Sequence, residues 1–126
     1  MKILVVDDEP HIVMMIKSRL IANNYEVITA NDGQECLQKL VSEKPDLLIL
    51  DIMMPKMDGY SVLVAIKEMR EIRGDMPQIP VIILTAAVEP RIKELVEQEQ
   101  IGAYMLKPFD SKELLKTIET FKNKLS

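Results

Sequence analysis

The chain has no tryptophan, one histidine, one cysteine and four glycines in 126 residues, and sixteen basic residues face twenty acidic ones. Each shortage excludes something. The lone Cys36 can form no internal disulfide, which points to a reducing compartment. A net charge of −4 has the wrong sign for a domain that grips a nucleic-acid backbone, so no direct nucleic-acid binding is expected. The apolar runs LLIL at 47–50 and VIIL at 81–84 are strand-sized, far short of a membrane span. The opening MKILVVDDEP has one lysine and only four consecutive apolar residues before its aspartates, too few for a signal peptide. What is left is a cytoplasmic, membrane-free protein read as one domain over 1–126. At 48% hydrophobic and 29% charged, it has the composition of a globular chain that builds its core without staples.

Apolar segments of strand length alternate five times with amphipathic segments of helix length. Lys2–Val6, Glu26–Thr29, Leu47–Leu50, Val81–Thr85 and Tyr104–Leu106 read as strands. Three of them are apolar on both faces, the mark of a parallel strand covered by helices on either side. Between them, Ile12, Ile16 and Leu20 recur at helical spacing, as do Cys36 and Leu40, Leu37 and Val41, and Val62, Ile66 and Met69. Ile92, Leu95 and Val96 mark a fourth helix, and Leu114, Ile118, Phe121 and Leu125 a fifth. Pro10 and Pro90 suit a first helical turn, and Asp110 with Glu113 forms a capping box. Arg70–Pro80, REIRGDMPQIP, reads as a helix end and an extended loop. The expected fold class is α/β: a (βα)5 open, doubly wound parallel sheet.

In such sheets ligands bind beyond the carboxyl ends of the strands. Asp7, Asp8 and Glu9 follow the first strand, Asp51 follows the third, Thr85 ends the fourth, and Lys107 with Pro108 follows the fifth. Asp7, Asp8 and Asp51 side by side repel one another unless a cation joins them. Oxygen-only ligands in a partly hydrated site suit Mg2+. Lys107 offers a point charge and Thr85 a hydroxyl to phosphoryl oxygens. An aspartate between a metal and a lysine is equipped to attack phosphorus and form an acyl phosphate. Singly, each of these residues reads as ordinary surface charge; together at one rim they do not.

DDEP at 7–10, DIMMPKMDG at 51–59, Thr85–Ala86 and LKPF at 106–109 together resemble the receiver domain of two-component response regulators, over the whole chain. The resemblance implies a flavodoxin-like sheet of order 2-1-3-4-5, an order the receivers themselves exemplify. It also implies Asp51 as phosphoacceptor, and Mg2+ held directly by Asp8, Asp51 and the backbone carbonyl of Met53. Asp7 then acts through a metal-bound water, Lys107 pairs with the phosphoryl group, and Lys107–Pro108 is a cis peptide. Pro55 and Gly59 shape the loop after Asp51, and Thr85 and Tyr104 form a switch pair. Met53 and Ala87 flank the in-line approach of water, and neither side chain hydrogen-bonds it, which implies slow loss of the phosphoryl group.

The implied function is a phosphorylation-activated signalling switch, not an enzyme beyond its own phosphorylation and dephosphorylation. The implied donor is a sensor histidine kinase or a histidine phosphotransfer protein. An output protein would bind the face made by the fourth helix, fifth strand and fifth helix. The alternative is the N-terminal receiver of a longer regulator; the close at Lys124-Leu125-Ser126 right after the fifth helix favours an isolated receiver. An aspartate-nucleophile phosphatase wants Asp-x-Asp after the first strand, where this chain has adjacent aspartates, and a flavodoxin wants Ser, Thr and Gly there. Three departures bear on output: 34 positions separate Asp51 from Thr85, the stretch before Tyr104 reads QIGAY, and Thr117 stands where many DNA-binding relatives carry a dimer-forming arginine. His11 is expected to be an ordinary helix histidine, Cys36 a small buried hydrophobe, and the methionines outside 53–57 core residues.

Overall fold

A computed structural model of the chain describes residues 1–52, 59–73, 79–86, 90–91, 93–94 and 102–125. Strands β1 (Lys2–Val6), β2 (Glu26–Ala30), β3 (Leu47–Asp51), β4 (Val81–Thr85) and β5 (Gly102–Leu106) form one parallel sheet in the order β2-β1-β3-β4-β5. Helices α1 (Pro10–Ala22), α2 (Gly33–Ser42) and α3 (Gly59–Arg73) and a C-terminal helix (Ser111–Leu125) cover its faces. The expected α/β class, strand order and strand positions are all present.

Side-chain alternation along the central strands divides the core in two. Leu4, Val6, Leu48, Leu50, Val81 and Ile83 point to one face, where α2 adds Cys36 and Leu40 and α3 adds Val62, Leu63 and Ile66. Ile3, Val5, Leu47, Ile49, Ile82 and Leu84 point to the other, where α1 adds Ile16 and Leu20 and the C-terminal helix adds Leu114 and Ile118. Burying each such side chain contributes about 1.5–3 kcal/mol, so the two layers dominate the stability. A strand apolar on both faces does not lose its core when it slips by one residue, so alternation alone leaves its register open. The polar residues at the strand ends supply that register: a slip would carry Asp7, Asp51 or Thr85 into the apolar layers.

Strand β5 begins two residues before the sequence pattern suggests. Gly102 and Ala103 are weak strand formers, but pairing with Val81 and Ile82 recruits them. Gly102 is there for space: a Cβ would lie 1.5 Å from the Val81 carbonyl oxygen. Helix α3 ends at Arg73, within the 70–80 stretch read from the sequence as a helix end and loop; residues 74–78 lie outside the described residues.

Local signals fix the helix starts. Pro10 opens α1. Asp32 caps α2, accepting from the Glu35 backbone N–H at 2.9 Å, while Glu35 reaches back to the Asn31 N–H at 3.2 Å. Asp110 accepts from the Lys112 N–H at 2.8 Å at the start of the C-terminal helix. Pro90 and Arg91 are helical. Cys36 is fully buried, as expected. The methionines divide differently from expectation. Met105 is buried, but Met14 is 69% and Met15 45% exposed, because Ile12, Ile16 and Leu20 take the inward face of α1. Among the described residues, no helix is long and apolar enough to cross a membrane.

Candidate functional site

Parallel pairing brings the strand ends to one edge: Val6 lies beside Leu50, Asp51 beside Leu84, and Thr85 beside Leu106. The residues that finish or follow these strands therefore meet. Among the described residues only three polar or charged side chains are fully buried, Asp7, Asp51 and Thr85, and all three lie on this edge. Buried carboxylates are costly unless paired, so their grouping calls for a counter-ion.

Lys107 supplies one. Its backbone N–H donates to the Thr85 carbonyl at 2.6 Å, which hangs the residue on the end of β4. Its ammonium then crosses the edge to Asp7 Oδ2 at 2.9 Å, Glu9 Oε1 at 3.5 Å and Asp51 Oδ2 at 3.6 Å. Partial burial draws the ammonium's pKa down, but the hydrogen bond to Asp7 and the charges of Asp51, Asp7 and Glu9 outweigh it. Lys107 is held above the ordinary lysine value. The bond from Lys107 to Pro108 is cis. The other oxygen of Asp7, Oδ1, accepts from the Glu9 backbone N–H at 2.9 Å, so both oxygens of Asp7 are engaged.

Asp7, Asp8, Glu9 and Asp51 each present a ligand atom, all within 4.8 Å of one another. Four carboxylates against one nearby ammonium leave the edge strongly negative. The donors are all oxygen and Asp8 is exposed, so the cluster suits a hard, partly hydrated cation such as Mg2+. Gly59 opens α3 beside this cluster, its N–H donating to the Ile52 carbonyl at 2.9 Å. A Cβ on Gly59 would lie 2.7 Å from the Ile52 Cα, so a larger residue would displace the backbone that follows Asp51.

The sequence residues Asp7, Asp8, Asp51, Thr85 and Lys107 thus converge. Tyr104 lies elsewhere on the sheet: it pairs with Ile83, two positions back from Thr85, and packs half-buried against the α2/α3 layer. Met53, Pro55 and Ala87 lie outside the described residues. Glu9 is a member that the sequence argument placed at the rim without giving it a part; its signal was the third acid in DDEP. His11 is 75% exposed, with Nε2 3.6 Å from Glu9 Oε2.

Residues 3–119 match the model of the response regulator receiver domain. The chain belongs to the response regulator receiver family. It is 42% identical over 113 residues to the alkaline phosphatase synthesis transcriptional regulatory protein PhoP of Bacillus subtilis, covering 90% of this chain and 45% of that protein. It is 44% identical over 115 residues to the probable transcriptional regulator ycf27 of Guillardia theta, again covering 90% of this chain and 42% of the relative. The chain therefore spans less than half the length of these receiver-bearing relatives. Among solved structures, the Vibrio cholerae chemotaxis protein CheY4 superposes with a TM-score of 0.80 at 32% identity, covering 95% of this chain and 97% of that one. The Thermotoga maritima response regulator TrrA, in complex with Mg2+ and BeF, superposes with a TM-score of 0.76 at 34% identity, covering 95% and 97%. As a receiver, the domain is a phosphorylation-activated switch of two-component signalling.

Proposed function

We propose that Asp51 is the phosphoacceptor of this receiver and that its donor is a phosphohistidine on a sensor histidine kinase or histidine phosphotransfer protein. The observation that carries this is Asp51 itself: 3% exposed at a strand end, 3.6 Å from the Lys107 ammonium and beside a second buried carboxylate. Asp7 is the weaker nucleophile because Lys107 and the Glu9 N–H engage both of its oxygens. Asp8 is exposed, where water competes for the transfer.

In the reaction an Asp51 carboxylate oxygen forms the bond to phosphorus as the phosphorus–nitrogen bond to the donor imidazole breaks. The electron pair of that bond stays with the imidazole nitrogen. Lys107 swings its charge from the carboxylates to a phosphoryl oxygen, and the Thr85 hydroxyl donates to another. Asp8, Asp51 and the Met53 carbonyl would hold Mg2+, with Asp7 acting through a bound water. The ion supplies neutralising charge to the incoming phosphoryl group. Thr85 and Tyr104, on the same face of β4 and β5, then carry the change to the surface.

The outer face of α1 supports a helical phosphodonor. His11, Met14, Met15, Ser18 and Ile21 share one uncharged face, and Met14, Met15 and Ile21 are 69%, 45% and 52% exposed. The face starts beside the acidic edge. The output partner would bind the face of the fourth helix, β5 and the C-terminal helix; Ile92, Leu95 and Val96 of that fourth helix lie outside the described residues. Relatives of more than twice this span favour a second possibility, that the domain is the receiver part of a longer regulator. A cytoplasmic setting follows from a kinase-borne donor.

The test is labelling with acetyl phosphate and Mg2+. One hydroxylamine-labile phosphoryl group is expected, absent from Asp51→Asn and absent without divalent metal. Labelling that persists in either case assigns the acceptor elsewhere.

A further inference from the structure

Glu9 is the carboxylate of the acidic edge that the phosphoryl-transfer chemistry leaves without a part. Asp7, Asp8, Glu9 and Asp51 bring four negative charges to the edge, and Lys107 with one divalent cation brings three positive ones, so one negative charge is left over. The backbone holds Glu9 in its place. Its N–H donates to Asp7 Oδ1 at 2.9 Å, and its carbonyl accepts from the Ile12 and Val13 N–H groups at 3.0 and 3.1 Å. Glu9 stands at the N-cap of α1, yet its side chain makes no capping bond. The carboxylate turns toward the edge, with Oε1 3.5 Å from the Lys107 ammonium and Oε2 3.6 Å from His11 Nε2. Lys107 lies closer to Asp7, at 2.9 Å, and the Glu9 side chain stays 47% exposed. A negative charge thus stands at the rim, with one of its oxygens within 4.8 Å of an oxygen of Asp51.

We propose that Glu9 is a selectivity residue of the phosphoryl transfer, whose charge turns away small anionic phosphodonors in proportion to the charge they carry. Like charges brought together at a binding site suppress the wrong partner. A small donor meets the domain only at this edge and has nothing to set against the repulsion. A protein donor also docks elsewhere on the surface, and that contact offsets it. Glu9 acts through its field and touches no reacting atom. The proposal rests on Asp51 as the phosphoacceptor.

Acetyl phosphate, a dianion at pH 7, and phosphoramidate, which carries a single net negative charge there, are the probes. Asp51 displaces acetate from the first and ammonia from the second, each leaving with the electron pair of its bond to phosphorus. Labelling rates of the whole domain are followed by intact-protein mass at saturating MgCl2, so that altered cation affinity does not enter. A unit charge about 5 Å from the reacting centre, in a water-like medium, changes the rate about three- to tenfold for a dianion and about two- to threefold for a monoanion. Glu9→Gln keeps the length of the side chain and the backbone contacts. It should accelerate acetyl phosphate by the larger factor and phosphoramidate by the smaller. The gain should shrink as NaCl is raised, because salt screens an exposed charge. Glu9→Asp, which keeps the charge, should stay closer to wild type than to Glu9→Gln. Equal factors for the two donors, a gain that salt leaves untouched, or a Glu9→Gln that is no faster would overturn the proposal and leave Asp51 in place. Labelling of Asp51→Asn at the wild-type rate, or a wild type that neither donor labels, would overturn both.

Discussion

Replacing Lys107 by methionine keeps the length and apolar stem of the side chain and removes the ammonium that lies 2.9 Å from Asp7 and 3.6 Å from Asp51. Exposed ion pairs contribute about 0–1 kcal/mol, and breaking a fully buried one costs about 3–5 kcal/mol. Here the carboxylate side chains are 2% and 3% exposed and the lysine side chain 14%, so the loss falls between these limits. About 2–3 kcal/mol is expected. For a domain of this size roughly 3–4 °C of Tm accompanies each kcal/mol, so the variant should melt about 6–12 °C below wild type at pH 7 without divalent metal.

The pH dependence has a definite sign. The folded state holds Lys107 above the ordinary lysine value, so its contribution is complete below that value and is lost as pH rises through the raised one. The difference between wild type and variant should therefore persist through mildly alkaline pH and close only beyond it. Mg2+ should narrow the difference, because a cation replaces the missing charge. Thermal unfolding followed by circular dichroism, across pH and with or without MgCl2, measures both. A variant within about 2 °C of wild type at pH 7, or a deficit that Mg2+ widens, would refute the electrostatic account of this edge.

Gly102→Val should destabilise by at least about 1–3 kcal/mol, since the new side chain meets the Val81 backbone, and hydrogen exchange should show the start of β5 fraying first. Cys36 should resist thiol reagents in the folded protein: burial, helped by the charge of Asp32, pushes its thiol up to about 12, and rapid modification at pH 8 would contradict its place in the core. The activated domain should not form a tight symmetric dimer through β5 and the C-terminal helix. Thr117 has no charge to offer across such an interface, and its hydroxyl donates to the Glu113 carbonyl of its own helix at 2.9 Å. Sedimentation of the beryllofluoride-loaded domain at tens of micromolar tests this; a monomer-to-dimer shift abolished by Glu113→Lys is the opposing result.

By itself, the sequence determined which segments become strands and helices and at which end of the sheet the acidic residues gather. Runs such as ILVV and LLIL can satisfy their backbone and bury both faces only inside a covered parallel sheet. That topology sends the residues after β1, β3 and β5 to one edge. The motifs then named Asp7, Asp8, Asp51, Thr85 and Lys107 through local chemistry and spacing. Only the tertiary structure decided how these groups divide their contacts. No pattern shows that Lys107 lies closest to Asp7 and reaches Glu9, because those distances depend on strand register and on a residue 100 positions away. The need for glycine at 102 was equally hidden, since it arises from the Val81 backbone on the neighbouring strand. So were the exposed Met14 and Met15, whose side of α1 depends on how the helix rotates against the sheet, and the meeting of Tyr60 with Arg91. Periodicity and turn chemistry act over a few residues and are written in order along the chain. Counter-ion choice, steric clearance and ring contacts are set between elements far apart in that order, and only packing brings them within reach.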